Sequence, residues 1–182
     1  MYHRDRVSTC LDRARRSAKK LQAVVEPQEK QSAWEDFLED WKKALERLRS
    51  YALKAGMRDK HDAIHNERVG DPILNYAWEA RNVEAHDIDG GSRPTGSSWT
   101  LQPHTPGGPV HIHQLTMGPF GSFGSWTGAS FRHAAAELSL IELTLKGGKK
   151  LAPPDEPVEK VADHALAFAE RHFAFIFRPN AP

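Results

Sequence analysis

A chain of 182 residues is long enough for one hydrophobic core and too short for two large domains. Because 25 Lys and Arg residues balance 24 Asp and Glu residues, the net charge of +1 gives no general attraction to nucleic acid or membranes, so any such affinity must come from a local patch. A single cysteine, Cys10, excludes an internal disulfide framework and a cysteine zinc site, and no apolar run approaches the roughly 18 residues that span a membrane.

Residues 1–25 predict a cytoplasmic protein that begins with a basic helix. The first residues lack the apolar segment of a signal peptide, and a lone cysteine suits a reducing compartment. Between residues 7 and 25, apolar side chains recur at spacings of three and four, with basic residues elsewhere. The basic face is either a surface that attracts phosphates or an ordinary solvated face, and the solvated face is the commoner of the two.

A second amphipathic helix is predicted after Pro27, which ends or interrupts the first. Ser32 is the predicted cap, and Gly56 stops the helix at about Ala55. Tryptophans seven residues apart could stack a base, but on an apolar helical face we expect core packing. The apolar stripe consists of Trp34, Phe37, Leu38, Trp41, Ala44, Leu45, Leu48, Tyr51 and Ala52.

A third helix, predicted over residues 72–87, carries the densest group of polar side chains. Asp71 can cap its first turn, and Pro72 has its φ preset for the first helical position. At about 100° per residue, one stripe places an arginine on an otherwise apolar line: Leu74, Trp78, Arg81 and Ala85. The neighbouring stripe is polar: Asn75, Glu79, Asn82 and His86. A core-facing arginine must find an anion, a carbonyl or a partner subunit, so we take this helix as the functional centre.

The segment Arg81-Asn82-Val83-Glu84-Ala85-His86 resembles the Arg-X4-His motif of HEPN domains, in which the residue after the arginine is commonly Asn, Asp or His. Weakly similar helical order covers residues 1–90, with two long amphipathic helices before the motif helix. The resemblance implies a metal-independent endoribonuclease without a cofactor, in which the ribose 2′-hydroxyl attacks the adjacent phosphate and leaves a 2′,3′-cyclic phosphate. It also implies a homodimer, because two motifs facing one cleft supply both an acid and a base.

The individual side chains are compatible with this chemistry. His86 can exchange a proton near neutral pH, and Arg81 can neutralise the developing charge with two parallel bonds. Asn82 can orient the phosphate or the histidine, and Glu79, facing the same way, is our candidate partner for Arg81 across the dimer or for His86. The expected partners are a second copy of the chain, RNA and, in a toxin or defence context, a protein antitoxin.

The same residues also fit a non-catalytic module for binding or assembly. In that interpretation Arg81 pairs with a buried carboxylate, and His86 ends a helix, where a cationic imidazole is favoured by the helix dipole. Both interpretations stay open at this point.

Histidine pairs elsewhere raise the question of a metal. His61 and His65 stand four residues apart and could share a metal if a neighbouring carboxylate helped, but solvent-facing histidines are the commoner case. On a predicted strand, His111 and His113 project from one face and could bind a metal with a further histidine, either His104 or His133. A half-buried strand needs a polar outer face in any case, so we predict no metal and retain His111 and His113 as the candidates.

Glycine and proline interrupt the chain repeatedly in residues 90–152, so helices cannot run through this segment. Short extended runs predict a small antiparallel sheet, with Ser98–Gln102 and Val110–Thr116 forming a hairpin. A further strand is predicted over Glu137–Lys146, turning at Gly147-Gly148.

A last helix is predicted from the capping residues after Pro153-Pro154 to about Phe175. It is apolar on more than one side, which indicates burial or a dimer contact, and His164 and His172 on it are predicted to be structural. The predicted fold is mainly α, an antiparallel helical bundle with a small antiparallel β insert before the last helix. The predicted single domain, 1–182, consists of a bundle over 1–89, the insert over 90–152, and the last helix and tail over 153–182.

Overall fold

The computed structural model describes residues 2–84, 91–95, 98–106, 109, 111–118, 121–134 and 137–177. Within these residues the chain is mainly helical, with short strands before the last helix, as predicted. The helices are α1 (Tyr2–Ala23), α2 (Pro27–Lys54), α3 (Arg58–Gly70), α4 (Pro72–Glu84) and α5 (Val158–Phe177). The strands are β1 (Ser92–Thr95), β2 (Ser98–Pro103), β3 (His111–Gly118), β4 (Gly121–Thr127), β5 (Ala129–Ala134), β6 (Glu137–Leu140), β7 (Leu143–Thr144) and β8 (Lys150–Leu151). No helix in this part of the chain has the length and apolar character needed to cross a membrane.

The chain divides into two compact units. The first unit comprises Met1–Thr95 and Leu138–Pro182, and the second comprises Gly96–Glu137. Thus β1, β7 and β8 belong with the helices, where β1 contacts α2 and β7 contacts α4, whereas β2 to β5 form the second unit.

The helical unit is built on the apolar stripes of α1, α2 and α5, which pack on one another. Trp34, Phe37 and Trp41 of α2 are fully buried, with ring centroids 5.8 and 6.4 Å apart along the helix. The indole N–H of Trp41 donates to the carbonyl of Ala165 at 2.7 Å, which satisfies the buried donor and fixes α5 against α2. The predicted stripe therefore forms core, and these tryptophans are not available to stack a base.

The ends of the first two helices differ in part from the prediction. α1 ends at Ala23, and α2 begins at Pro27, because proline lacks only an N–H that the first turn cannot use. The prediction that Ser32 caps α2 is wrong, since Ser32 lies inside the helix. The stop at Gly56 is confirmed: its φ is +74°, its N–H donates to the Leu53 carbonyl at 3.2 Å, and the next N–H closes a Schellman motif on the carbonyl of Ala52 at 2.9 Å.

α3 lies in a segment that the sequence marked only as polar. The buried residues of this helix are Ile64 and Arg68, so it has almost no apolar periodicity for a pattern to detect. α3 contacts α2 and α4. Tertiary packing rather than an apolar stripe therefore accounts for this helix.

The predicted hairpin between Ser98–Gln102 and Val110–Thr116 is wrong. β3 pairs with β4, with Gly118 opposite Gly121, and β2 pairs with β5 in an outer antiparallel ladder. Only two residues separate β3 from β4 in the sequence, whereas a longer proline- and glycine-rich connection separates β2 from β3. Pairing β3 with β4 therefore closes the shorter loop, which costs less conformational entropy. Glycines within β4 hid this strand from a propensity pattern.

The predicted long strand over residues 137–146 is two short strands. β6 pairs with β1, and β7 pairs with β8 around the predicted turn at Gly147 and Gly148, whose φ values are +90° and +77°. Between β6 and β7, the Ile141 N–H donates to the Gly91 carbonyl at 3.1 Å, which ends the regular pairing.

Tyr76 of α4 ties these strands to the motif helix. Its buried hydroxyl donates to the Gly91 carbonyl at 2.7 Å, and the Ile141 carbonyl lies 2.8 Å away. Burial raises the pKa of the Tyr76 hydroxyl above its ordinary value of 10.0, so it stays a donor. At Gly91, whose φ is +72°, a Cβ would lie 2.9 Å from Cδ2 of Leu143 and 3.0 Å from Cβ of Ala80. The chain can approach α4 this closely because the residue is glycine.

Candidate functional site

The motif helix starts as its sequence predicts. One carboxylate oxygen of Asp71 accepts the N–H groups of Ile73 at 2.9 Å and Leu74 at 3.1 Å, and Pro72 opens the helix. α4 is described to Glu84, so His86 and the predicted end of the helix lie outside the described residues.

Arg81 meets a carboxylate across the helix pair. Its side chain is 23 % exposed, and Nη2 lies 3.7 Å from Oε2 of Glu39 on α2. Lys43 donates to the other oxygen of Glu39, and this hydrogen bond and then the charge of Arg81 help to lower the pKa of the Glu39 carboxyl. The anion that the position of Arg81 requires thus comes in part from α2.

Asn82 connects two charged side chains. Its Oδ1 accepts from the ammonium of Lys42 on α2, and its Nδ2 donates to Oε2 of Glu79 at 2.9 Å. These bonds fix which way the amide points. Within the described part of the chain, Glu79 is therefore held by Asn82 rather than standing apart from the motif.

Two cations flank the indole of Trp78 beside these residues. Nζ of Lys42 lies 4.8 Å from the ring centroid, and Cζ of Arg68 lies 4.6 Å from it, both within cation–π range. Arg68 also donates from Nη1 to Oδ1 of Asn75 at 3.2 Å. We call this group of side chains the motif face: Glu39, Lys42, Arg68, Trp78, Glu79, Arg81 and Asn82.

The sequence did not reveal Lys42, Glu39 or Arg68 as members of this face. Lys42 and Asn82 are 40 positions apart in the chain, and they meet only because α2 and α4 pack together. A weak signal exists in α2, where charged residues recur at spacings of three and four opposite the apolar stripe: Glu39, Lys42, Glu46 and Arg49.

His61 and His65 do not form a metal site with other side chains in the described residues. Nδ1 of His61 lies 2.9 Å from Oδ1 of Asp62, and Nη2 of Arg49 lies 3.5 Å from its Nε2. Both ring nitrogens therefore face protein groups, and a guanidinium beside Nε2 opposes a cation there. His65 is exposed, and no group of three or more His, Cys, Asp or Glu side chains in the described ranges could hold a metal ion.

The strand histidines lie on an irregular ladder. The register of β3 against β4 shifts between Ile112 and Gln114, so His113 breaks the alternation that the prediction used. His111 is exposed, and the side chain of His113 lies outside the described residues. The prediction of no metal, with His111 and His113 as the candidate ligands if there were one, stays a prediction.

The histidines of α5 contact the corner between α3 and α4. Nε2 of His164 lies 2.7 Å from the second carboxylate oxygen of Asp71, and Nε2 of His172 lies 3.3 Å from Oε2 of Glu67. Arg171 bonds the same Glu67 oxygen at 2.6 Å. These contacts join α5 to the motif helix beside an open cleft of about 880 Å³, which the sequence did not predict.

No family model, curated protein or solved structure matches this chain. The chemistry of the motif face is therefore the basis for assigning a function.

Proposed function

We propose that the chain is an endoribonuclease of the HEPN type, which acts as a homodimer and needs no metal or cofactor. The observation that carries the proposal is the setting of Glu79, Arg81 and Asn82 on α4: all three are half-buried, and they are hydrogen-bonded or ion-paired to polar groups instead of packed into the core. A cytoplasmic location, RNA as substrate and an antitoxin as protein partner belong to this proposal.

In the proposed reaction, His86 of one copy takes the proton of a ribose 2′-hydroxyl. The 2′-oxygen forms a bond to the adjacent phosphorus, the bond from phosphorus to the 5′-oxygen breaks, and His86 of the second copy gives a proton to that oxygen. The products are a 2′,3′-cyclic phosphate and a free 5′-hydroxyl. Because DNA lacks the 2′-hydroxyl, it cannot be a substrate.

Arg81 supplies the positive charge for the phosphorane. Its Nη2 is 3.7 Å from Glu39, and the Glu39 side chain is 46 % exposed. Partly exposed ion pairs of this kind contribute about 1 kcal/mol or less, so exchanging Glu39 for a phosphate costs little. Two parallel bonds from the guanidinium to phosphate oxygens would offset that cost.

A second candidate function is a non-catalytic module for binding or assembly. It is favoured by the contacts of Arg81 and Asn82 within their own chain, to Glu39, Lys42 and Glu79. In this case the motif face contacts a second copy or an antitoxin, and the polar groups give specificity rather than catalysis.

The deciding experiment incubates the purified protein with single-stranded RNA and tRNA in EDTA. We expect fragments that end in a 2′,3′-cyclic phosphate, and a loss of about 10²-fold or more in rate for His86→Ala and for Arg81→Ala. Arg16→Ala is the matched control, because Arg16 is exposed on α1. Absence of cleavage of either RNA by the folded wild-type protein would reject the enzyme and leave the binding module.

Light scattering tests the homodimer that both functions share. We expect twice the mass of the 20.4 kDa chain. A strictly monomeric protein would contradict the nuclease, because one chain offers a single motif histidine, and would also count against assembly.

A further inference from the structure

Arg68 of the motif face and Arg49 of α2 each have an unpartnered buried nitrogen. Arg68 is 7 % exposed, and its buried Nε has no hydrogen-bond partner, although Nη1 bonds Asn75. The Nε of Arg49 is also buried and unpartnered. Among the described residues, no carboxylate forms an ion pair with either guanidinium. Two arginines are thus held in place with donors unused.

Positive charge is concentrated where α2 and α3 meet. Burial first, and then the charges of Arg49 and Arg68, lower the pKa of the His65 imidazole. Burial lowers the pKa of the Arg68 guanidinium, and the positive charge of Arg49 lowers it further. The negative charge of Glu79 acts in the opposite direction and raises this pKa. His61 is the other titratable group here, and its ring faces Arg49 and Asp62. Placing like charges close together costs free energy, and so does burying a donor without a hydrogen bond. A bound anion would offset both costs.

We propose that Arg49, Arg68 and His65 form a binding site for a phosphate group. An arginine presents Nε–H and Nη–H as a fork that matches two oxygens of a phosphate, and two arginines can share one tetrahedral anion. The indole of Trp78 lies against the guanidinium of Arg68 and Asn75 holds Nη1, so this fork is fixed before any ligand arrives. His65 is exposed on α3 and would add a third donor.

The source of the phosphate is an RNA strand, an assignment that rests on the proposed function. Arg49 follows Glu39, the partner of Arg81, by ten positions on α2, which corresponds to about 15 Å along a helix. A strand held at the motif by Arg81 therefore reaches Arg49 within a few nucleotides. The site would add affinity away from the bond that is cut.

Binding is measured first with inorganic phosphate, by isothermal titration of the full chain at low salt. We expect a saturable site, one per chain, whose affinity falls at least tenfold in Arg49→Gln and is unchanged in Arg16→Gln. Because Arg68 is buried, Arg68→Gln is a supporting variant only, and circular dichroism checks that each variant is folded. No saturable binding, or equal affinity in folded Arg49→Gln, would overturn the site.

The RNA source is tested with a 2′-O-methyl oligoribonucleotide, which cannot undergo the cleavage reaction. We expect phosphate to compete with it, and Arg49→Gln to weaken its binding and to reduce the salt slope by about one. If phosphate binds and the oligonucleotide does not compete, the site takes free phosphate and the RNA assignment is wrong. Arg81→Ala is expected to abolish cleavage while inorganic phosphate still binds, so failure of the nuclease and failure of this site give different results.

Discussion

Glu39 is an anionic neighbour of Arg81 within the chain. The carboxylate lies between Arg81 of α4 and Lys43 of α2, and both cations help to keep it ionised. In the proposed nuclease it competes with the phosphate for Arg81. Its removal should therefore favour RNA.

We predict that Glu39→Gln tightens binding of a 2′-O-methyl oligoribonucleotide and changes the free energy of unfolding by about 1 kcal/mol or less, since the ion pair is partly exposed. Fluorescence anisotropy and urea unfolding measure the two quantities. Asp36→Asn is the control for net charge, because it removes an exposed carboxylate from the same helix. Equal gains in both variants would show a general charge effect and contradict a specific role for Glu39.

His172 gives the protein a dependence of stability on pH. It is 4 % exposed, its ring contacts Phe168, and Nδ1 has no hydrogen-bond partner. Burial lowers the pKa of His172 below its ordinary value of 6.5, although the nearby Glu67 opposes this and Arg171 adds to it. The unfolded chain therefore binds a proton that the folded chain resists, and stability is lost as the pH falls through 6.5 towards the lower folded value.

We predict that the free energy of unfolding is lower at about pH 5.5 than at about pH 7.5, and that His172→Phe reduces this difference. Part of it will remain, because the pKa of His65 is lowered in the same direction. Urea unfolding at the two pH values gives the measurement. An unchanged pH difference in the variant would mean that His172 is not the responsible group.

Among the structural elements, those with strong local signals could be predicted and those held by distant contacts could not. Asp71-Pro72 marks the start of α4, and the sequence around Gly56 marks the end of α2, because capping needs only neighbouring residues. α3 and the pairing of β2 with β5 depend on contacts between distant segments. The same division applies to the site, where the need of Arg81 for an anion could be predicted and the identity of Glu39 could not.

The approach of β1 to α4 depends on the absence of a side chain at Gly91. A Cβ there would be too close to Leu143 and Ala80, whereas at Gly147, which also has a positive φ, nothing lies within 4 Å of the added atom. Substitution of Gly147 therefore measures the free-energy cost of the backbone conformation alone, whereas substitution of Gly91 also includes the cost of crowding.

We predict that Gly147→Ala destabilises the protein by about 1 kcal/mol, and Gly91→Ala by about 1–3 kcal/mol more, because crowding adds to the unfavourable φ. Thermal or urea unfolding of both variants provides the comparison. Equal losses would indicate that α4 and β7 move apart without cost.

For the molecule as a whole, the second unit is a single continuous segment that interrupts the sequence of the helical unit. β1 ends at Thr95, and the second unit begins at the next residue. The second unit ends at Glu137, which is the first residue of β6. β1 and β6 pair with each other.

We predict that replacing residues 96–137 by a short glycine–serine linker leaves a helical protein that unfolds cooperatively, because no buried side chain of the described helical core is removed. Far-UV circular dichroism during thermal unfolding measures this, with the full chain as reference. Loss of cooperative unfolding would show that the helices need the second unit. Cleavage assays on the shortened protein would then reveal whether that unit contributes to RNA binding.

The hydroxyl of Tyr76 also gives the molecule a defined mechanical connection. It holds the carbonyls of Gly91 and Ile141, the residues that flank the paired strands β1 and β6. One side chain of α4 therefore contacts the chain on both sides of this strand pair. Since Gly91 packs on Ala80, this connection reaches α4 one residue away from Arg81.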